Sequence, residues 1–157
     1  MICDNTFATP INCRPFEFGV DIVTHSTTKY MDGHAMALGG AIVDSGNFDW
    51  DAHADKFPGL TTPDESYHGV IYTQKFGKKA YITKATAQLM RDMGACQSPQ
   101  NAFLTNVGLE TLHLRVERHC RNAEKVAEFL KNHPKVAWVE YCLLYTSPSP
   151  RDTERSR

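Results

Sequence analysis

Two short polar segments near the start of the chain combine residue types that can do covalent chemistry. Asp4 follows one apolar stretch, and Ser26-Thr27-Thr28-Lys29 follows another. A lysine amine can form a Schiff base with an aldehyde, and a carboxylate can keep the ring nitrogen of such a cofactor protonated. Ser26 and Thr28 offer hydroxyl groups for a phosphate. Lys29 is therefore a candidate catalytic residue, and all four side chains are candidates for binding an aldehyde cofactor.

The elements between these segments predict that both lie at one edge of a sheet. Residues 1–3 have the character of a strand end, residues 11–18 of a short helical connector, and residues 20–23 of a second strand. Gly19 stands where the connector needs a cap. Two strands and a connector within so few residues indicate a compact βαβ unit with parallel strands. Ligands of open α/β folds bind at the carboxyl ends of such strands, so the polar segments should converge there.

The middle of the chain predicts one more strand and then irregular structure. Residues 38–43 are apolar and end at the turn signal of residues 44–47. The stretch 57–72 carries prolines and glycines among aromatic residues. We expect a long surface loop there.

Helices dominate the expectation for the second half. Apolar positions recur at helical spacing from residue 80 to 93, where Gly94 ends the pattern, and Ser98 is placed to cap a further helical run. An apolar stripe from residue 109 to 130 predicts one long amphipathic helix packed by a single face. Residues 136–141 read as a strand.

Composition limits the class of protein. The 157 residues carry 17 Lys+Arg and 18 Asp+Glu, a formal charge of -1, without a basic stripe for nucleic acid. No apolar run is long enough to span a membrane. The five cysteines form no CxxC pair or dense framework, which favours a reducing cytoplasm.

Other interpretations of the same residues stay open. An Asp at a strand end usually caps a turn, and a Lys beside a Tyr is usually solvated. Ser26 and Lys29 also fit Ser-x-x-Lys, the nucleophile motif of penicillin-recognising enzymes, although the S-D-N and K-T-G segments of that class do not occur here. The seven histidines show no H-E-x-x-H and no cysteine pairing, so no metal site is predicted. Gly33, Gly39 and Gly40 fit no phosphate-loop pattern and indicate close backbone packing beside the site instead.

Longer motifs around the two polar segments carry a resemblance. They are Asp4-Asn5-Thr6-Phe7-Ala8-Thr9-Pro10, His25-Ser26-Thr27-Thr28-Lys29-Tyr30, Gly39-Gly40-Ala41-Ile42-Val43-Asp44-Ser45-Gly46, Ser66-Tyr67-His68-Gly69 and Gly108-Leu109-Glu110-Thr111-Leu112. With them the chain resembles the pyridoxal-phosphate enzymes of cysteine and methionine metabolism, and within that family the O-acetylhomoserine sulfhydrylases. The similarity extends from about residue 2 to residue 141.

The resemblance implies a fold and a domain organisation. The fold would be α/β of the aminotransferase type, fold type I of the pyridoxal-phosphate enzymes. Residues 1–99 would be the C-terminal part of the large cofactor-binding domain, and residues 100–141 the beginning of the small α+β domain. Residues 142–157 look like a non-native, disordered tail. By this resemblance the chain is a fragment that is inactive in isolation.

The resemblance also implies a chemistry. The cofactor would be pyridoxal 5'-phosphate, with Lys29 as its Schiff-base lysine, Asp4 as the partner of the ring nitrogen, and Ser26 and Thr28 as phosphate contacts. The implied reaction is replacement at the γ-carbon of O-acetyl-L-homoserine by sulfide or a thiol, giving homocysteine and acetate. Cystathionine γ-synthase or γ-lyase chemistry is the alternative within the family, and a non-catalytic fragment or a hydrolase using Ser26 the alternative outside it. The partners would be a small amino-acid substrate and, for the full-length protein, further copies in a homotetramer built from dimers.

Overall fold

The computed structural model of the protein describes residues 1–141. They form two compact units, of which the first spans residues 1–112 and the second begins at His113. The predicted tail, residues 142–157, lies outside the described residues. The predicted domain boundary at residue 100 stays a prediction, because packing into compact units is a different property from the domain plan of an intact protein.

The sheet of the first unit is built from three strands in sequence order. β1 (Ile2–Asp4) pairs in parallel with β2 (Ile22–Ser26), and β2 pairs antiparallel with β3 (Gly40–Asp44). The connector between the parallel strands contains α1 (Thr9–Asn12) and a 3-10 turn (Pro15–Phe18). Gly19 ends that turn with a φ of 79°, a left-handed conformation that favours glycine. The predicted βαβ unit is confirmed, and both polar segments follow the carboxyl ends of its strands.

Residues 57–72 lie largely at the surface, as their prolines and glycines suggested, but they contain short helical elements that were not predicted. Pro58 opens a short helix, α2 (Pro58–Thr61), because proline suits a first helical position, and a 3-10 turn follows at Glu65–Tyr67. Tyr72 begins α3 (Tyr72–Phe76) and is fully buried. Tyr72 is buried because aromatic side chains of this segment and of neighbouring segments pack around it.

These aromatic side chains form the core of the region. Leu60, Tyr72 and Ala80 are buried together. The partly buried side chains that pack against them are Trp50, Tyr67, Phe76 and Tyr81. Burying such large apolar surfaces stabilises the segment more than solvation of its turns would.

The helical prediction for residues 80–93 is confirmed with one refinement. The segment comprises α4 (Ala80–Lys84), a π-helical stretch (Ala85–Met90) and α5 (Arg91–Met93), and it ends at Gly94 with a φ of 68°. The helix α6 (Pro99–Glu110) then begins as predicted. The hydroxyl of Ser98 accepts a hydrogen bond from the backbone N–H of Asn101 at 3.1 Å.

The long amphipathic helix predicted for residues 109–130 is confirmed as α7 (Leu112–Lys131), although it begins at Leu112 rather than Leu109 because Thr111 separates it from α6. The strand predicted after this helix is wrong. Along α7, Val116 and Ala127 are buried, but Val126 is 56% exposed. Residues 136–141 are not assigned as a strand anywhere in the described part of the chain, where only Tyr141 adopts a bridge. Strand formation depends on a neighbouring segment to pair with, which a local residue pattern does not supply.

Candidate active site

The carboxylate of Asp4 stands at the end of β1, where its own loop holds it. Its Oδ1 accepts hydrogen bonds from the backbone N–H of Thr6 at 3.0 Å and from the Thr6 hydroxyl at 2.5 Å. The hydroxyl bond is the main cause that lowers the pKa of Asp4, followed by the backbone bond, while burial opposes the shift and nearby His25 adds to it. The other oxygen, Oδ2, has no hydrogen-bond partner within residues 1–141. Asp4 therefore offers an ionised oxygen to a ligand.

Thr6 joins the two polar segments, and the sequence analysis missed it. Its hydroxyl donates to Asp4 and accepts from the backbone N–H of Ser26 at 2.8 Å. The parallel register places Asp4 opposite Thr24 on β2, which brings the end of β1 alongside Ser26. The signal was present in the sequence, since a threonine two residues after an aspartate often closes a local side-chain turn.

Lys29 lies in the turn that follows β2. Its backbone N–H donates to the carbonyl of Ser26 at 3.3 Å, and its own carbonyl accepts from the N–H of Gly33 at 2.8 Å. The side chain is exposed. The Nζ amine makes no hydrogen bond or ion pair to the described residues, so it is available for a reaction.

The two hydroxyls predicted to bind phosphate have different surroundings. The Thr28 hydroxyl donates to the carbonyl of Gly39 at 3.3 Å and accepts from the Gly39 N–H at 3.1 Å. The Ser26 hydroxyl has no hydrogen-bond partner in the described range. Ser26 can thus donate to a ligand directly, whereas Thr28 must exchange its bond to Gly39 first.

Gly39 packs tightly beside the site. This agrees with the sequence analysis, which found no phosphate-loop pattern and interpreted this glycine as a position of close packing. A Cβ on Gly39 would lie 2.6 Å from the Thr27 hydroxyl and 2.6 Å from Nε2 of Gln97. A side chain at position 39 would therefore require Thr27 and Gln97 to shift, and glycine avoids this.

The side chain of His25, on β2, is buried and interacts electrostatically with Asp4. It is 7% exposed, and burial lowers the pKa of its imidazole, while Asp4 acts in the opposite direction. A neutral imidazole is therefore the favoured form at neutral pH.

This arrangement fits a pyridoxal-type cofactor. Asp4 presents an ionised oxygen suited to a protonated ring nitrogen, and Lys29 presents a free amine suited to an aldehyde. The Ser26 hydroxyl is placed between them in sequence for a phosphate. A metal site has no such support, since residues 1–141 contain no group of three or more His, Cys, Asp or Glu side chains able to hold an ion. No helix in the same range is long and apolar enough to cross a membrane.

Known proteins resemble the chain over most of its length. It is 47% identical over 142 residues to the homocysteine/cysteine synthase of Saccharomyces cerevisiae, an overlap of 90% of this chain and 32% of that protein. It is 46% identical over 149 residues to the O-acetyl-L-homoserine sulfhydrylase of Leptospira meyeri, covering 90% of this chain and 33% of the other. The chain thus spans about a third of the length of the curated relatives it matches.

A solved structure agrees with the fold. It is a crystal structure described as an O-acetylhomoserine (thiol)-lyase from Campylobacter jejuni, and it carries N'-pyridoxyl-lysine-5'-monophosphate. It aligns with a TM-score of 0.79 at 43% identity over 89% of this chain and 34% of its own. The predicted fold class is confirmed by this likeness. The sequence profile described as "Cys/Met metabolism PLP-dependent enzyme" matches residues 1–155. The chain belongs to the Cys/Met metabolism family of pyridoxal-phosphate-dependent enzymes.

Proposed function

We propose that the intact protein replaces the acetoxy group at the γ-carbon of O-acetyl-L-homoserine with sulfide or a thiol. The Cγ–O bond breaks, a Cγ–S bond forms, and the products are acetate and homocysteine or its thioether. The observation that carries the proposal is that Asp4 ends β1 and Lys29 follows β2, its parallel neighbour, in a chain of this family. Oδ2 of Asp4 and the Lys29 amine both lack a hydrogen-bond partner among residues 1–141. The names of the relatives support the choice of substrate.

Each site residue has a role in this proposal. Lys29 would hold the cofactor through its aldehyde and, with substrate bound, would move protons at the substrate Cα and Cβ. Asp4 holds the proton on the ring nitrogen, because an ionised carboxylate favours the charged ring. Ser26, with Thr28 after release from Gly39, binds the phosphate. When bound, pyridoxal phosphate supplies an electron sink for the negative charge that develops on the substrate.

Trapping the cofactor on its lysine tests the proposal. Borohydride reduction of the intact protein, followed by peptide mass spectrometry, should find a pyridoxyl group on Lys29. Lys29→Ala should lose both the label and the production of homocysteine from O-acetylhomoserine and sulfide. Lys56→Ala, which removes an exposed lysine elsewhere in the chain, is the matched control and should keep both.

The same assay separates the alternatives. A label on a different lysine would contradict the assignment of Lys29. Cystathionine formed from cysteine, with no product from sulfide, would instead favour cystathionine γ-synthase chemistry. Release of acetate without homocysteine, by a protein that carries no pyridoxyl group on Lys29 and loses this activity in Ser26→Ala, would instead favour a hydrolase that uses Ser26.

We also propose a cytoplasmic homotetramer built from dimers for the intact protein. Within residues 1–141, the free thiols of Cys3, Cys13 and Cys96 support a reducing compartment. Sedimentation of the intact protein at a mass of four subunits is the expected result, and a monomeric mass would contradict it.

A further inference from the structure

A fully buried carboxylate lies three residues after Lys29. Asp32 is 0% exposed. Its Oδ2 accepts hydrogen bonds from the backbone N–H groups of His34 at 3.1 Å and Met36 at 3.0 Å. Its Oδ1 is buried and has no hydrogen-bond partner among the described residues. The side chain therefore closes the loop that follows Lys29 onto itself.

Asp32 carries a negative charge in that position. Burial alone would raise the pKa of its carboxyl group, but the backbone N–H groups of Met36, His34 and Ala37 outweigh burial, and the balance lowers the pKa. A buried anion is costly unless hydrogen bonds stabilise it, so the bonds and the loop conformation depend on each other.

The backbone of the same residue anchors the turn that contains Lys29. The Asp32 N–H donates to the carbonyl of Thr27 at 2.9 Å, and the Gly33 N–H donates to the carbonyl of Lys29 at 2.8 Å. Lys29 is thus enclosed by bonds that run from Thr27 to Gly33. Asp32 joins this turn through its backbone and the following loop through its side chain.

The backbone of helix α6 packs directly against the turn at Met31 and Asp32. A Cβ on Gly108 would lie 2.3 Å from the carbonyl oxygen of Asp32 and 2.4 Å from that of Met31. Only glycine allows the helix backbone to come so close, and the contact is between backbone atoms that cannot swing aside. The turn therefore has little freedom to move on either side of Asp32.

We propose that Asp32 is a positioning residue that fixes the direction in which Lys29 leaves the sheet. It needs no contact with substrate or cofactor, and it acts through the backbone turn of residues 27–36. The inference rests on the proposed function in one respect only, that Lys29 is the lysine that binds the cofactor. A small displacement of a reacting group can lower a rate by roughly 100-fold, so the turn is a sensitive place for such control.

Four variants of the intact protein test this role. Asp32→Ala removes the acceptor of both N–H groups, and Asp32→Asn keeps a carbonyl oxygen that can accept them. Gly108→Ala disturbs the turn from the helix side without removing any polar group. Gly59→Ala is the matched control, because its Cβ would lie at an ordinary 3.7 Å from the Lys84 side chain.

Backbone hydrogen exchange of the peptide covering residues 27–37 is the first readout, and kcat with KM is the second. Asp32→Ala and Gly108→Ala should exchange at least about tenfold faster in that peptide and lose at least about tenfold in kcat, with KM changed less than about threefold. Asp32→Asn should stay within about threefold of the wild type in both readouts. Gly59→Ala should match the wild type.

The inference is overturned if Asp32→Ala keeps the wild-type exchange rate and kcat, or if Asp32→Asn is as impaired as Asp32→Ala. If Asp32→Ala does not fold, Gly108→Ala serves as the test in its place. A wild-type kcat together with wild-type hydrogen exchange of residues 27–37 in Gly108→Ala then overturns the inference. A wild type that carries no pyridoxyl group on Lys29 after borohydride reduction overturns the proposed function as well. The labelling of Lys29 is measured on the wild type alone. Failure of the proposed function can therefore be distinguished from failure of the role proposed for Asp32.

Discussion

The hydroxyl of Thr6 decides how the Asp4 carboxylate can be used. It occupies Oδ1 together with the Thr6 backbone N–H, which leaves Oδ2 as the oxygen that faces a ligand. It also accepts from the N–H of Ser26, so the acid at the end of β1 is tied to the strand that leads to Lys29. The Thr6 side chain thereby lowers the pKa of Asp4 and links the end of β1 to the backbone of Ser26.

Removing the charge of Asp4 should impair turnover more than cofactor binding. In Asp4→Asn the amide no longer favours a protonated ring nitrogen, and we expect a loss in kcat on the order of 100-fold while the visible absorbance of the bound cofactor persists. Asp55→Asn, which changes an exposed carboxylate elsewhere, should behave as the wild type. Steady-state kinetics of the intact protein measure both, and an unchanged kcat in Asp4→Asn would refute the role.

Thr6→Val should raise the pKa of Asp4 towards its ordinary value of 3.8, because the largest cause of the shift is then absent. The lost hydroxyl also leaves the Ser26 N–H without its acceptor, at a cost of about 1–3 kcal/mol in unfolding free energy. Thr6→Ser keeps the hydroxyl and should lose little. Chemical denaturation of the two variants gives the comparison, and equal stability of valine and serine would count against the bridge.

At the scale of elements, side chains of the helical segment 84–91 bind the turn of residues 64–67, which lies within the predicted surface loop. Lys84 pairs with Asp64 at 2.7 Å, Gln88 donates to the Ser66 hydroxyl, and the Arg91 guanidinium lies 5.8 Å from the centroid of the Tyr67 ring. The three helical residues recur about one turn apart. They can therefore bind successive residues of the turn. The π-helical stretch Ala85–Met90 contains Gln88 and lies between Lys84 and Arg91.

The Asp64–Lys84 pair should make stability depend on pH in a defined direction. Hydrogen bonds from Lys84 and Ser66 lower the pKa of Asp64 from 3.8 to about 2. Because the folded-state pKa lies below the unfolded value, the stabilisation is complete above pH 3.8 and is lost as the pH falls through about 2. The shift corresponds to at most about 2.4 kcal/mol, and screening by solvent leaves about 1 kcal/mol.

Denaturation of Asp64→Asn and wild type at several pH values measures this contribution. The difference in unfolding free energy should be about 1 kcal/mol at pH 7 and should shrink towards zero near pH 2. Asp92→Asn is the control, because its pair with Arg91 is more than half exposed and should contribute under about 0.5 kcal/mol. A difference for Asp64→Asn that is constant with pH would show that the ion pair is not its source.

At the scale of the molecule, the described sheet leaves apolar side chains open to water. Ile2 on β1 is 65% exposed, and Ile42 and Val43 on β3 are 48% and 44% exposed. Leu38, just before β3, is 76% exposed. Because consecutive side chains of a strand point to opposite faces, Ile42 and Val43 expose apolar surface on both faces of β3, where a covering surface would stabilise the sheet.

The 157-residue chain on its own should therefore bind the dye anilinonaphthalene sulfonate strongly and form no product from O-acetylhomoserine and sulfide. The intact protein should bind little dye and be active, since the rest of its chain and, in the proposed oligomer, its other subunits can cover the apolar surface. Dye fluorescence and product assays on the two proteins side by side give the result. Turnover by the isolated chain would contradict the expectation.

Several features of this protein follow from local sequence alone. Asp4 and the segment ending in Lys29 were placed at the carboxyl ends of parallel strands because strand, connector and cap signals are short-range. Gly94 and Ser98 mark helix ends for the same reason, as left-handed backbone and hydroxyl caps act within one turn. The family motifs extended these local signals to a fold and a chemistry.

Other features needed the tertiary structure. The bridge from Thr6 to Ser26, the buried carboxylate of Asp32 and the close approach of Gly108 join residues that are distant in sequence or are fixed by their surroundings. The burial of Tyr72 turned a predicted loop into part of the core. Residues 136–141 lacked the strand that their composition favoured. In each case burial and pairing depend on which segment lies opposite, and that information is not local.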